Sequence, residues 1–463
     1  MESLVGMVNE VMWIPLYIFI FLIGIYFTFR SKFLQFTSVR KVWRFLLGKD
    51  HAEDSSSSKE NKNEVSFSPL QAVATSLSGA VGTGNVVGIT AAILTGGPGA
   101  IFWVWVLGLI GMILKYVEIV IAMKFRVKNE NNETCGGPMF YISKGLNSNF
   151  GGKFFALLIV FASFVGGNII QINSISSITR KSFPVANIEL IVGISLAVLF
   201  LFIIIKGTEA VGKISEIMAP IFCGGYIIFA FAVIAFHYKN IPHVFALIFD
   251  NALSLKSLTG GSLGYTILTA MRYGIARGVG CGEIGMGIGS IAHGSSNEKD
   301  PYKEGLLGIF EVFISCFVVC TCSVLVMLIS DVTIPERYNA ALISGGLESL
   351  ENLDCSLTLL TNSFATILGN EGANVFMWIC IFLFAYTTVI GYYFYGVRSY
   401  EYVFGCKTSV IYKVLFLAVI VFSPFLKGGL VWQLNDFANG ILLGVNIIAM
   451  FLLKKKFFNK NEN

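Results

Sequence analysis

The residues best suited to chemistry lie in the run Ser78-Gly79-Ala80-Val81-Gly82-Thr83-Gly84-Asn85-Val86-Val87-Gly88, in the middle of an apolar segment of membrane length. Lipid offers backbone amides no partner, so unwound glycine-rich backbone survives at that depth only beside a protein-lined cavity. Unwinding at Gly82 to Gly84 exposes carbonyls of one half-helix and amides at the start of the next. Amides with the positive dipole end suit a carboxylate, and carbonyls suit a cation such as sodium. Thr75, Ser76, Ser78, Thr83 and Asn85 add polar side chains. The alternative is that the small residues only allow close helix packing.

A second run, Gly278-Val279-Gly280-Cys281-Gly282-Glu283-Ile284-Gly285-Met286-Gly287-Ile288-Gly289, repeats the pattern and adds charge. Arg272 and Arg277 precede it and Glu283 lies inside it. Ionisable residues inside a membrane are costly and are functional candidates by default. Two roles stay open for Glu283: pairing with Arg277 or capping unwound backbone, and touching substrate, ion or proton. Asn168, Gln171 and Asn173 put three amides in one apolar segment, with Asn168 and Gln171 on one helix face. They meet a substrate's amino or carboxylate group, or they bond neighbouring helices. The hydroxyls of Thr387 and Thr388 suit sodium, or bond back to their own i−4 carbonyls. Lys115 and Glu118 read as a structural ion pair or as snorkelling ends.

The elements that must position these residues are membrane helices. Of the 463 residues, 55% are hydrophobic and 13% charged, against roughly 25% charged in a soluble domain. A crossing takes about 20 mostly apolar residues. Eleven segments qualify: 11–30, 69–94, 99–124, 153–179, 187–206, 213–237, 262–292, 303–330, 372–397, 409–427 and 430–453. They predict an all-α integral membrane protein, a single transmembrane domain over 1–463. The first, 11–30, has no basic leader before it and no cleavage site after it, and reads as a retained extra helix. Lys and Arg fall on one side of this stack almost throughout, Arg180 and Lys181 excepted. That places the N-terminus outside and the C-terminus in the cytoplasm. Residues 50–66 read as a cytoplasmic linker, and 331–371 as an external loop with one or two short helices, either a lid or a plain connector.

The two glycine-broken spans, the second and the seventh, are five apart. Without span one, ten remain, and two sets of five run in opposite directions: 69–237, and an inverted second repeat over 262–453. A helix break in corresponding positions of two inverted halves points to a secondary transporter's binding site. Other classes find little support. No GxxxxGK[ST] run is present for nucleotide binding. None of the four histidines has a second His or Cys at ligand spacing, and no nucleophile–base pair suggests an enzyme. The net charge of +5 implies no nucleic-acid partner. An ion channel stays open, although no filter is recognisable.

Longer stretches resemble a known family, the alanine/glycine:cation symporters. They include Ser68-Pro69-Leu70-Gln71-Ala72, Val81-Gly82-Thr83-Gly84-Asn85, Gly96-Gly97-Pro98-Gly99-Ala100, Lys115-Tyr116-Val117-Glu118, Ala276-Arg277-Gly278-Val279 and Phe384-Ala385-Tyr386-Thr387-Thr388. The resemblance runs from about Pro15 to Met450. It implies a leucine-transporter-like fold, a five-plus-five inverted repeat with one extra N-terminal helix. It implies sodium-coupled, or sometimes proton-coupled, uptake of alanine or glycine through the cytoplasmic membrane. Sodium is then the coupling ion, with no cofactor and no obligate protein partner. The resemblance carries substrate contacts onto Gly82, Thr83, Gly84, Asn85 and Gln171, and Thr75, Val279, Gly280, Gly282, Glu283 and Tyr392 complete the candidate substrate residues. The implied sodium ligands are Ala80, Thr83, Thr387 and Thr388. One departure matters: many members read Arg-Gly-Val-Phe-Ser-Asn-Glu at the second break, where this chain has Gly280, Cys281 and Gly282 for Phe, Ser and Asn. The pocket is thereby reshaped, and a larger neutral amino acid becomes a possible substrate.

Overall fold

The computed structural model describes residues 2–46, 66–183, 185–253, 267–330, 353–426 and 428–459. The expected linker 50–66 lies outside them except for its last residue, as do residues 331–352 of the expected external loop. Among the described residues, nine helices are long and apolar enough to cross a membrane. The count is ten if the bent pair Pro69–Ala80 and Gly84–Gly96 is one span.

Burial sorts these helices into inner and outer ones. In Ala100–Lys124, 83% of the most apolar window is buried, against 33% in Thr208–Phe236 and in Cys406–Phe425. Outer helices turn large apolar side chains such as Ile191, Phe202, Ile217 and Ile411 outward, as a lipid-facing surface requires. Ala100–Lys124 packs against Pro301–Val312 and Ile267–Gly282 at the centre.

The first broken span is built by local rules. Ser68 accepts a hydrogen bond from the Gln71 amide, and the Gln71 side chain accepts from the Ser68 amide, closing a capping box with Pro69 at the first helical position. The helix runs to Ala80, where Val81 is extended. A wide π-type turn over Gly84–Gly88 restarts it, and the two halves meet at a 48° bend. A second π-type turn, Val165–Ile169, interrupts the helix from Asn149 to Ser182. Such turns recur at functional sites.

The second break starts later than its glycines suggest. The helix Ile267–Gly282 continues through Val279, Gly280 and Gly282. Regular structure is lost at Glu283, whose φ is 48°, and at Gly285 and Gly287, with φ of 70° and 84°. A glycine costs about 1 kcal/mol in a helix. Packing outweighs that here, since Gly278 lies against Leu107, and Gly282 against Ile284 and Cys316. The second half of the expected loop 331–371 is also helical. It opens the long element Leu353–Phe404, which turns at Gly369 (φ 69°).

A short antiparallel hairpin, Val127–Lys128 with Thr134–Cys135, was not legible in the sequence. It ties helix ends together through Glu133, which accepts from Arg398 at 2.5 Å, Asn129 at 2.7 Å and Thr208 at 3.0 Å. Burial pushes the Glu133 carboxyl up, but Arg398's hydrogen bond and charge outweigh it and bring it down to about 2. The folded value is depressed, so its stabilisation is present above the ordinary carboxylate range and is lost as pH falls toward 2. Thermal melts of the purified protein should therefore lose stability between about pH 4.5 and 2. In Glu133→Gln that part of the loss should be missing; an unchanged acid profile in this variant would remove Glu133 as its source.

Candidate functional site

A cavity of about 50 Å³ opens at the first break. Gly79, Ala80, Gly82, Gly84 and Asn85 form one wall, and Gln171 and Gly166 another. Gly280 and Cys281 face them from Ile267–Gly282. Tyr392 and Thr388 come from the long helix, and Trp432, Asn435, Asp436 and Asn439 from Gly428–Leu452. A single water needs only about 10–15 Å³ by this measure, so the cavity has room for a few waters.

The amides expected to hold a carboxylate already have acceptors. The Gly82 amide donates to Asn85 Oδ1 at 3.2 Å. The Thr83 amide and hydroxyl both donate to Gln171 Oε1, at 3.4 and 2.9 Å. Both amides are thus satisfied by side-chain oxygens. Gln171 is held in turn through Nε2 to the Gly166 carbonyl at 3.1 Å. Asn85 also donates to the Cys281 carbonyl at 3.2 Å and to Ser315 Oγ at 2.9 Å, linking the first break to two other helices.

Thr388 and Thr387 part company. The Thr388 hydroxyl reaches the Ser78 carbonyl at 3.0 Å across the helix interface, as well as its own Phe384 carbonyl at 2.9 Å. It crowds Gly82, where an added Cβ would lie 2.5 Å from Thr388 Oγ1. Thr387 bonds only back to Leu383 and Phe384 and is not part of the cavity wall. The packing role of the small residues is present as well: Gly391 sits against the backbone of Gly79.

Six expected site residues stand elsewhere. Thr75, Thr83 and Thr387 are fully buried but off the cavity. Val279 and Gly282 point into helix packing, and the Val279 carbonyl accepts from the Ile284 amide. Glu283 neither lines the cavity nor pairs with Arg277. Its Oε2 lies 3.5 Å from Lys115 Nζ, which is 3.8 Å from Glu311. Lys115 is wholly buried, so it does not snorkel, and its ion pairs are with these two carboxylates. Glu118 instead accepts from the Gly287 amide at 3.1 Å and from Asn446 at 3.3 Å. The chain of buried groups continues from Glu311 to His293 at 2.5 Å and from His293 to Glu304 at 2.7 Å.

The sequence reading missed one wall of the cavity. Arg277 pairs with Asp436 at 3.2 Å and stacks over Trp432, 4.8 Å from the ring centroid. A signal was available, since Asp436 is a carboxylate in an otherwise apolar span and Asn435 and Asn439 flank it on the same helix.

A multi-pass helical membrane protein with a small polar cavity at a helix break belongs to the class of solute transporters. A family model described as the sodium:alanine symporter family matches residues 1–463, and the chain belongs to that family. A "Probable sodium/glutamine symporter" of Bacillus subtilis is 35% identical over 460 residues, covering 99% of this chain and 89% of that protein. The "Sodium/alanine symporter" of Methanococcus maripaludis is 32% identical over 459 residues, covering 97% of this chain and 94% of that protein. An "Amino-acid carrier protein" of Bacillus subtilis is 31% identical over 453 residues, covering 98% and 90%.

Proposed function

We propose that this protein is a sodium-coupled symporter that imports a neutral amino acid by alternating access. The observation that carries the reading is the cavity at the first break, where two backbone amides are turned to side-chain oxygens and Thr388 reaches across to Ser78. The substrate carboxylate replaces those oxygens at Gly82 to Gly84. Sodium sits between the first broken span and the long helix, on Thr388 Oγ1 and carbonyls near Ser78 and Ala80. Eleven spans in a five-plus-five inverted repeat, with the N-terminus outside, are the arrangement such a cycle uses.

Relatives named as glutamine, alanine and amino-acid carriers support the amino-acid class and leave the side chain open. Alanine and glycine are the substrates of the resemblance. A larger neutral amino acid, or protons in place of sodium, are the readings next in line. Uptake into proteoliposomes of labelled neutral amino acids, with and without a sodium gradient, tests this. Saturable uptake that requires inward sodium is expected. Sodium-independent uptake would remove the coupling, and no amino-acid uptake at all would sink the reading.

A further inference from the structure

Asn439 leaves a hydrogen-bond demand unmet beside the cavity. It is only 5% exposed, it lines the cavity, and its Oδ1 is buried with no partner. Buried carbonyl oxygens are almost always satisfied, so an orphan here marks a place kept for a donor. Opposite it stands Gly280. A Cβ at Gly280 would lie 3.7 Å from Asn439 Nδ2 and within 4 Å of no other described atom, so the missing side chain leaves the Nδ2 end of that carboxamide uncovered. Asn435, one turn before Asn439 on the same helix face, adds a second carboxamide to the wall.

We infer that Asn439 and Gly280 form the side-chain subsite and select a neutral amino acid ending in a carboxamide, glutamine or asparagine, over alanine and glycine. This rests on the symport reading above, in which the substrate's carboxylate is held at Gly82 to Gly84. The substrate's terminal NH2 donates to Asn439 Oδ1, and its carbonyl accepts from an Asn439 or Asn435 amide. Alanine leaves that oxygen unpaired in a closed site. Sites built to bond a substrate's N–H reject analogues that lack it.

The test is competition uptake in proteoliposomes of the full chain under a sodium gradient, with labelled glutamine, asparagine, alanine and glycine. The wild type should favour glutamine or asparagine over alanine by about tenfold or more, the low end of what one buried unpaired group costs. Asn439→Leu, close in size but without the amide, should lower the glutamine-to-alanine ratio about ten- to hundredfold. Gly280→Phe should lower it in the same direction. A wild type that prefers alanine overturns the proposal and leaves the symport reading standing. An Asn439→Leu variant that loses all substrates equally also overturns it, since Asn439 then holds the shared ammonium. No amino-acid uptake removes both. If neither variant folds, glutamine against methionine on the wild type decides: the two are similar in length, and methionine competing equally well overturns the proposal.

Discussion

Lys115→Met should be the most destabilising single change in this protein. Lys115 is wholly buried and is the cation shared by Glu283 and Glu311, at 3.5 and 3.8 Å. Removing one partner of a buried ion pair leaves carboxylates in a low-dielectric site and costs about 3–5 kcal/mol. Glu311 keeps hydrogen bonds from Ser76 at 2.8 Å and from His293 at 2.5 Å. Glu283 lacks such well-formed hydrogen bonds, and Lys115 is its ion-pair partner among the described residues. Lys115→Met should therefore give little folded protein and a much lower melting temperature in detergent. The double variant Lys115→Met with Glu283→Gln should recover a large part, because it removes the orphaned charge as well. A Lys115→Met protein that melts like the wild type would show that the cluster contributes nothing to stability. A double variant no better than the single would shift the cost from Glu283 to Glu311.

Thr388→Ala should give the largest change in ion dependence. The hydroxyl reaches across from the long helix to a carbonyl of the first broken span, Ser78 at 3.0 Å. An ion placed there loses a ligand when the hydroxyl goes. A hydrogen bond or ligand contact to a charged group is worth about 1.5–3 kcal/mol, so the half-saturating sodium concentration should rise about ten- to hundredfold. Thr388→Ser keeps the oxygen and should stay near the wild type. Thr387→Ala is the internal control, because that hydroxyl bonds only within its own helix. Equal shifts in Thr387→Ala and Thr388→Ala would argue for a general helix effect, and no shift in Thr388→Ala would remove Thr388 from the sodium site.

The first break was legible almost to the residue. Gly82, Gly84, Asn85 and Gln171 were picked from sequence, and all four line the cavity. Their types carried the information: glycines and amides are conspicuous where lipid demands an apolar, hydrogen-bonded helix. The second break falls inside the expected run Gly278 to Gly289, but only in its second half: the backbone leaves the helix at Glu283, because Leu107, Ile284 and Cys316 pack into the space the earlier glycines leave. The charged residues were found but mispaired. Arg277 meets Asp436, 159 residues away, and Glu283 meets Lys115 from another helix.

The amino-acid sequence by itself determined that this is a helical membrane protein, where most of its spans lie, and that the segment opening at Pro69 breaks near Gly82. These follow from rules that act along the chain: the thickness of the bilayer, the need to satisfy backbone groups in lipid, and the capping chemistry of Ser68, Pro69 and Gln71. Only the tertiary structure decided which carboxylate each cation serves, which threonine faces the cavity, and that Asp436 and Asn439 complete its far wall. Those are contacts between helices distant in sequence. Hydropathy places each helix in the membrane but says nothing of its rotation or its neighbours, and these choose the partners.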